Sequence, residues 1–185
     1  MLDNIYVAFL RGINVGGKNK VSMAELKTCL ERLSYGNVQP YGNSGNIIFT
    51  TASADFFQLE TDLETALAAN FFSSIAVFVR NLDQMAELVN ATPKHWQASS
   101  EVKYDIIFLK QTIDNPKILA DLQPKPNIDE LYYKHGVLLW SIKMRDFSKS
   151  KLSKLVGTEL YQGMTIRGLG TVNKVYELMS KRNKA

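Results

Sequence analysis

The chain has one cysteine, two histidines and five prolines in 185 residues, and each scarcity removes a class of protein. A lone Cys29 leaves no partner for an intrachain disulfide, so a hydrophobic core must hold the fold. With one cysteine and two isolated histidines, His95 and His135, no His/Cys cluster forms and no metal site is expected. His135 is most simply a turn residue, because a general base needs positioned partners that spacing alone does not display. No apolar stretch reaches the roughly 18 residues of a membrane span, and none follows a basic start of the signal-peptide kind. The expectation is a cytoplasmic protein with no membrane partner.

What is present is a globular composition. Apolar residues make up 45% of the chain, ample for one domain or for two small ones. The net charge of +4 hides an asymmetry: from Ser141 onward ten cations face three carboxylates, so the first 140 residues carry a net −3. The basic character is a local field favouring anionic partners, although solvated lysines alone also explain it.

Asn4 to Leu10 is a run of β-branched, aromatic and aliphatic residues that predicts a buried strand. Ser22 with Glu25 forms a capping-box pattern, and Met23, Leu26, Leu30 and Leu33 recur at helical spacing, with Cys29 at the edge of the stripe. Val38 to Tyr41 and Ile47 to Thr50 flank Gly42-Asn43-Ser44-Gly45-Asn46, which predicts a hairpin. A helix carrying Phe56, Leu59, Leu63, Ala66 and Leu67, a strand over Ile75 to Val79, and a helix ending before Pro93 complete the first half. After a polar connector the pattern begins again. Tyr104 to Leu109 is a strand, and Asp114 caps a helix reaching Leu122. Ile128 to Tyr133 and Val137 to Ile142 form a hairpin turned at Lys134-His135-Gly136, and Ser150 to Glu159 and Thr171 to Lys181 are helices.

The expected fold class is α+β, with duplicated split-βαβ (ferredoxin-like) halves whose antiparallel sheets carry helices on one face; a single larger mixed sheet is the structural alternative. The expected domains are 1–92 (βαββαβα), a connector at 93–100, and 101–185 (βαββαα).

The most informative segment is Leu10-Arg-Gly-Ile-Asn-Val-Gly-Gly-Lys-Asn-Lys20, which crowds glycines, asparagines and cations into the turn after the first strand. Gly12 to Lys18 satisfies seven positions of the P-loop pattern. Asn19 stands where a magnesium-binding Ser or Thr belongs, which argues against a nucleotide hydrolase. A metal-free role for Arg11, Lys18 and the amides of Gly16 and Gly17 in holding phosphate or carboxylate survives, against the alternative of a purely structural loop. Gly42-Asn-Ser-Gly-Asn46 fails as a nucleophile elbow because Asn46 and a strand follow it, leaving a hairpin turn from which Asn43 and Ser44 can touch a ligand. Lys151 lies in a cationic strand-to-helix run, and Arg167 and Lys174 flank a glycine pair before a helix capped by Thr171, a second potential anion site.

Tyr6-Val-Ala-Phe-Leu-Arg-Gly-Ile-Asn-Val-Gly-Gly-Lys-Asn-Lys20 with Met23-Ala-Glu-Leu26, and Ser44-Gly-Asn-Ile-Ile-Phe49, resemble the hallmarks of the bacterial Domain of Unknown Function 1697 family. Ser150-Lys-Leu152, Gly157-Thr158, Thr165-Ile-Arg167 and Thr171-Val-Asn-Lys174 are similar to its closing signature, with Gly168 and Gly170 where the family usually has asparagines. The resemblance implies a compact cytoplasmic bacterial protein and assigns no activity.

The functional expectation is an anion binder. Arg11, Lys18, Gly16, Gly17, Asn14, Asn43 and Ser44 would gather a phosphorylated metabolite, nucleotide or nucleic-acid backbone, and Lys151, Arg167 and Lys174 would complete the field. No strand carries the basic-Gly-aromatic run of an RNA-recognition sheet, so nucleic acid would bind through charge alone. The alternatives are a metal-independent enzyme using the same cleft and a scaffold with structural glycine loops. No cofactor and no reaction is specified by any motif.

Overall fold

Apolar alternation and helical periodicity place two four-stranded antiparallel sheets in the computed structural model, which describes residues 4–15, 20–71 and 74–183. By packing, the chain divides into Met1–Glu87 with Lys174–Ala185, and Leu88–Asn173. In the first unit β1 (Asn4–Leu10), α1 (Met23–Arg32), β2 (Gly36–Tyr41), β3 (Asn46–Thr51), α2 (Phe56–Phe71) and β4 (Val77–Asn81) form a sheet of order β2-β3-β1-β4, and α3 (Leu82–Ala91) follows β4 without a loop.

Period 2 in β1 sends Tyr6, Ala8 and Leu10 to one face, where they meet Ile47 and Phe49 of β3 and Val77 and Val79 of β4. The apolar stripes of α1 and α2 close over that face through Leu26, Leu30, Leu59, Leu63 and Leu67, each at most 1% exposed. Burying each such leucine contributes about 1.5–3 kcal/mol. The start of α1 is fixed by Ser22, whose hydroxyl accepts from the Glu25 N–H at 3.5 Å. Cys29 lies buried in the same cluster, and burial pushes its thiol up against the opposing charge of Arg32. On the edge strand β2, Arg182 donates to the Asn37 carbonyl at 2.6 Å and to Gln39 Oε1 at 2.5 Å, which covers part of the open ladder.

The second unit repeats the plan. β5 (Val102–Leu109), α4 (Ile118–Leu122), β6 (Asp129–Lys134), β7 (Val137–Lys143), α5 (Glu159–Gln162) and β8 (Met164–Gly168) form a sheet of order β6-β7-β5-β8, with α6 (Leu169–Arg182) following β8 directly. The fold is thus α+β with two similar split-βαβ halves.

Three sequence expectations change in this half. The segment expected as a helix over Ser150 to Glu159 is instead a 3₁₀ turn at Leu152–Lys154 followed by the short α5. Ser150 is buried with its hydroxyl donating to Asp129 at 2.5 Å, and Gly157 at φ +92° breaks any continuous helix before Thr158 caps α5. Asp114 does not cap a helix, because its carboxylate is engaged by the β6–β7 hairpin. Met164 to Gly168, for which the sequence reading assigns no element, is strand β8. The helix therefore begins at Leu169, and Thr171 lies inside its first turn rather than capping it.

With β8 counted, both halves run βαββαβα. The register agrees as well: Val7 pairs with Arg80 on β4, Ile106 pairs with Arg167 on β8, and each arginine donates Nη1 to the carbonyl of the residue before it, at 2.7 and 2.8 Å.

Candidate functional site

Pairing of β1 with β3 brings the two glycine-rich turns of the first unit side by side. Phe9 lies opposite Asn46, and the Leu10 N–H donates to the Gly45 carbonyl at 2.7 Å. The Arg11 N–H donates across to the Ala76 carbonyl at 2.9 Å, so the chain leaves the sheet already tied to both neighbouring strands' ends. Gly45, at φ +71°, fits against Leu10 and Ile13 so closely that an added Cβ would lie 2.7 Å from atoms of both.

Asn14 then closes the neck of the loop. It holds the left-handed conformation at φ +56°, which asparagine tolerates better than most residues. Its Oδ1 accepts from the Val21 N–H at 2.8 Å, and its Nδ2 donates to the carbonyls of Val21 and Asn43, each at 2.9 Å. The side chain thus behaves like a short strand, joining both ends of the loop to the hairpin turn. Asn14 is consequently a positioning residue, its amide nitrogen and oxygen both bonded to backbone. Asn14→Ala is expected to cost about 2–3 kcal/mol, from three lost hydrogen bonds and the left-handed backbone. Asn14→Asp keeps the acceptor but sets a carboxylate against two carbonyls. Chemical denaturation should rank both below the native chain, with alanine and aspartate similar; a native-like midpoint for either would refute the clamp.

The remaining expected site residues distribute as follows. Gly16, Gly17 and Lys18 lie outside the described residues. Arg11 is half-buried with its Nε out of water, Asn43 and Ser44 are exposed on the turn, and the Ser44 hydroxyl accepts from Asn46 Nδ2 at 3.1 Å. Lys20 stands exposed at the far shoulder of the loop. Lys174 belongs to the first unit, and its ammonium is pushed up chiefly by its hydrogen bond to Glu177. Its ammonium donates to Glu177 at 2.8 Å, and Lys174 together with Lys181 holds the Glu177 carboxyl down to about 2. Lys151 and Arg167 fall in the second unit. Lys151 is exposed and bonds to Gln123. Arg167 is not presented to solvent: it is 7% exposed, donates to Thr165 Oγ1 at 2.9 Å, and burial lowers its guanidinium to about 10.

The second unit carries a counterpart of this neck that sequence reasoning missed. The Leu109 N–H donates to the Gly136 carbonyl and the Lys110 N–H to the Gly163 carbonyl, both at 2.9 Å, matching the bonds of Leu10 and Arg11. Asp114 follows Ile113 as Asn14 follows Ile13, and its carboxylate likewise reaches the hairpin turn. It accepts from Tyr133 Oη at 2.9 Å and the Gly136 N–H at 2.8 Å, and pairs with His135 Nδ1 at 2.9 Å. The repeated Ile-Asx after each central strand is the signal that would have exposed it.

A further polar hub lies on β6. The Glu130 carboxylate meets Ser141 Oγ at 2.6 Å, Tyr132 Oη at 2.7 Å, His95 Nε2 at 2.8 Å and Trp96 Nε1 at 3.1 Å. Among the described residues no group of three or more His, Cys, Asp or Glu is placed to hold a metal ion, and no helix is long and apolar enough to cross a membrane.

The family model described as "Protein of unknown function (DUF1697)" matches residues 4–140. Among solved structures, the conserved bacterial protein SP0830 from Streptococcus pneumoniae is 30% identical, with a TM-score of 0.82 over 96% of this chain and 99% of that one. An unknown protein from Galdieria sulphuraria is 13% identical over 90% of this chain and 98% of that one, at a TM-score of 0.28. No curated protein matches. The glycine-rich loop, the hairpin beside it and the doubled fold thus belong together in one family, and the chain is a member of the DUF1697 family.

Proposed function

We propose that this protein binds an anionic ligand, a phosphorylated metabolite, a nucleotide or a nucleic-acid backbone, through the Gly12 to Lys20 loop. The observation that carries this reading is the loop's length beyond its neck. In the second half only residues 115–117 separate Asp114 from α4, whereas residues 15–22 separate Asn14 from α1. The crossover therefore folds with the shorter connection, and the longer one adds Gly16, Gly17, Lys18 and Lys20, residues suited to coordinating negative charge. Arg11 and Lys20 flank that segment, with Asn43 and Ser44 on the adjoining turn and Lys174 in the same unit. The buried Arg167 has no part in this reading.

A small phosphorylated ligand is favoured over nucleic acid. The aromatic residues Phe9, Phe78 and Phe108 on the sheets are fully buried, so these rings offer no surface on which bases stack. Titration with inorganic phosphate, a nucleotide panel and a short RNA, followed by calorimetry, tests the reading. Lys18→Ala is expected to weaken the bound anion about tenfold to a hundredfold with the melting temperature unchanged, the loss of one charge-assisted contact. RNA retention that collapses on modest addition of salt marks charge attraction alone. Absence of binding by every anion, or unchanged binding in Lys18→Ala, would overturn the proposal.

A further inference from the structure

The Asp114–His135 pair at the end of the second sheet is a built arrangement. The Asp114 side chain is 6% exposed, and the Tyr133 hydroxyl and Gly136 N–H fix its carboxylate in place. A carboxylate only accepts, so Nδ1 of His135 must carry the proton that points at Asp114. That fixes the tautomer and leaves the lone pair on Nε2. The ring is 90% exposed, so this nitrogen faces solvent. His95 offers the contrast: its Nε2 is the nitrogen bonded to Glu130. The chain's two histidines are therefore held in opposite senses, and only His135 combines a buried carboxylate behind Nδ1 with an open Nε2.

We propose that His135 is a phosphoryl-accepting site, taking the group from a small acyl phosphate. The Nε2 lone pair attacks phosphorus, the N–P bond forms, and the bond from phosphorus to the acyl oxygen breaks. The carboxylate leaves with that electron pair. The proton stays on Nδ1, and Asp114 stabilises the positive charge that develops on the ring. Lys134, exposed and one residue before His135 on the hairpin, favours an anionic donor over a neutral ester. Asp114 is a positioning residue in this step, and the site does not depend on the loop of the first half.

The full-length chain is incubated with acetyl phosphate, and the product is located by mass spectrometry and ³¹P NMR under alkaline conditions that preserve phosphohistidine. One phosphoryl group is expected on His135, arriving at least about tenfold faster than on His95, and none on this position in His135→Gln. Asp114→Asn should slow the labelling about tenfold, and the covalent label is read on His135 itself, which separates this proposal from the loop's ligand binding. Should Asp114→Asn fail to fold, ¹⁵N NMR of the native chain decides, because the proposal requires the neutral His135 ring to carry its proton on Nδ1. Equal labelling of the two histidines, native-rate labelling of folded Asp114→Asn, or a proton on Nε2 would each overturn it.

Discussion

Gly45→Ala is expected to lower stability by about 2–4 kcal/mol, a large share of the total for a small domain. Two terms add. Alanine at φ +71° costs about 1–2 kcal/mol because its Cβ crowds the following carbonyl. The new methyl would also lie 2.7 Å from Leu10 Cβ and from Ile13 Cδ1. Ile13 has a terminal methyl that can turn aside, but Leu10 Cβ is one bond from the backbone of a central strand and cannot. Relief must come from opening the hairpin turn, which strains the 2.7 Å bond from the Leu10 N–H to the Gly45 carbonyl. Gly42→Ala provides the control: its φ is +61° and nothing lies within 4 Å of an added Cβ, so only the backbone term of about 1–2 kcal/mol applies. Urea denaturation of the two variants should separate them by at least about 1 kcal/mol. Equal midpoints would mean that the close packing of the two loops is wrong.

Glu130→Ala is expected to cost a similar amount, about 2–4 kcal/mol, for a different reason. The carboxylate accepts from four side chains, and two of the donors, Ser141 and Trp96, are buried at 5% and 7% exposure. Removing the acceptor strands them without water. Glu130→Gln should lie between, since an amide accepts on one atom only. The pH response has a definite sign. Burial pushes the Glu130 carboxyl up, but the bonds from Ser141, Tyr132, Trp96 and His95 outweigh it and hold it below its ordinary 4.5. The unfolded chain therefore binds the proton more readily. The contribution is complete above about pH 4.5 and fades as pH falls through the lowered folded value. Denaturation midpoints from pH 7 down to 3 should fall more steeply for the native chain than for Glu130→Gln. Parallel profiles would show that the hub does not hold the ionised carboxylate preferentially.

Much of the fold was legible because its signals are local. Ser22 and the stripe of Leu26 and Leu30 mark α1 within a dozen residues, and glycines at positive φ mark the hairpin at 42–45. The second half was less legible where local signals conflict with tertiary ones. Met164 to Gly168 carries no strand pattern of its own strong enough to assign, yet pairing with β5 makes it a strand. Lys151 to Glu159 has helical composition, yet Ser150 is drawn down onto Asp129 and Gly157 turns the chain.

The site was legible only in its outline. Composition located the Gly12 to Lys20 loop and pairing set the 42–45 turn beside it, but nothing in spacing distinguishes an asparagine that touches ligand from one that ties the loop shut. Asn14 ties the loop's ends to the hairpin turn, a role its spacing does not display. Arg167 shows a related limit: charge in sequence carries no information about burial, and this guanidinium lies along its own strand. The Asp114–His135 pair escaped notice because its members are 21 positions apart and meet only when β7 of the hairpin pairs with β5.

The buried Cys29 has a practical consequence. It is the chain's sole thiol, it lies 3% exposed on the buried face of α1, and burial raises its pKa, so a disulfide dye reacts with it when the packing around it opens. The ratio of dye uptake in the native chain to uptake by a free thiol is then the equilibrium constant for that opening. The molecule carries its own gauge of local breathing around α1.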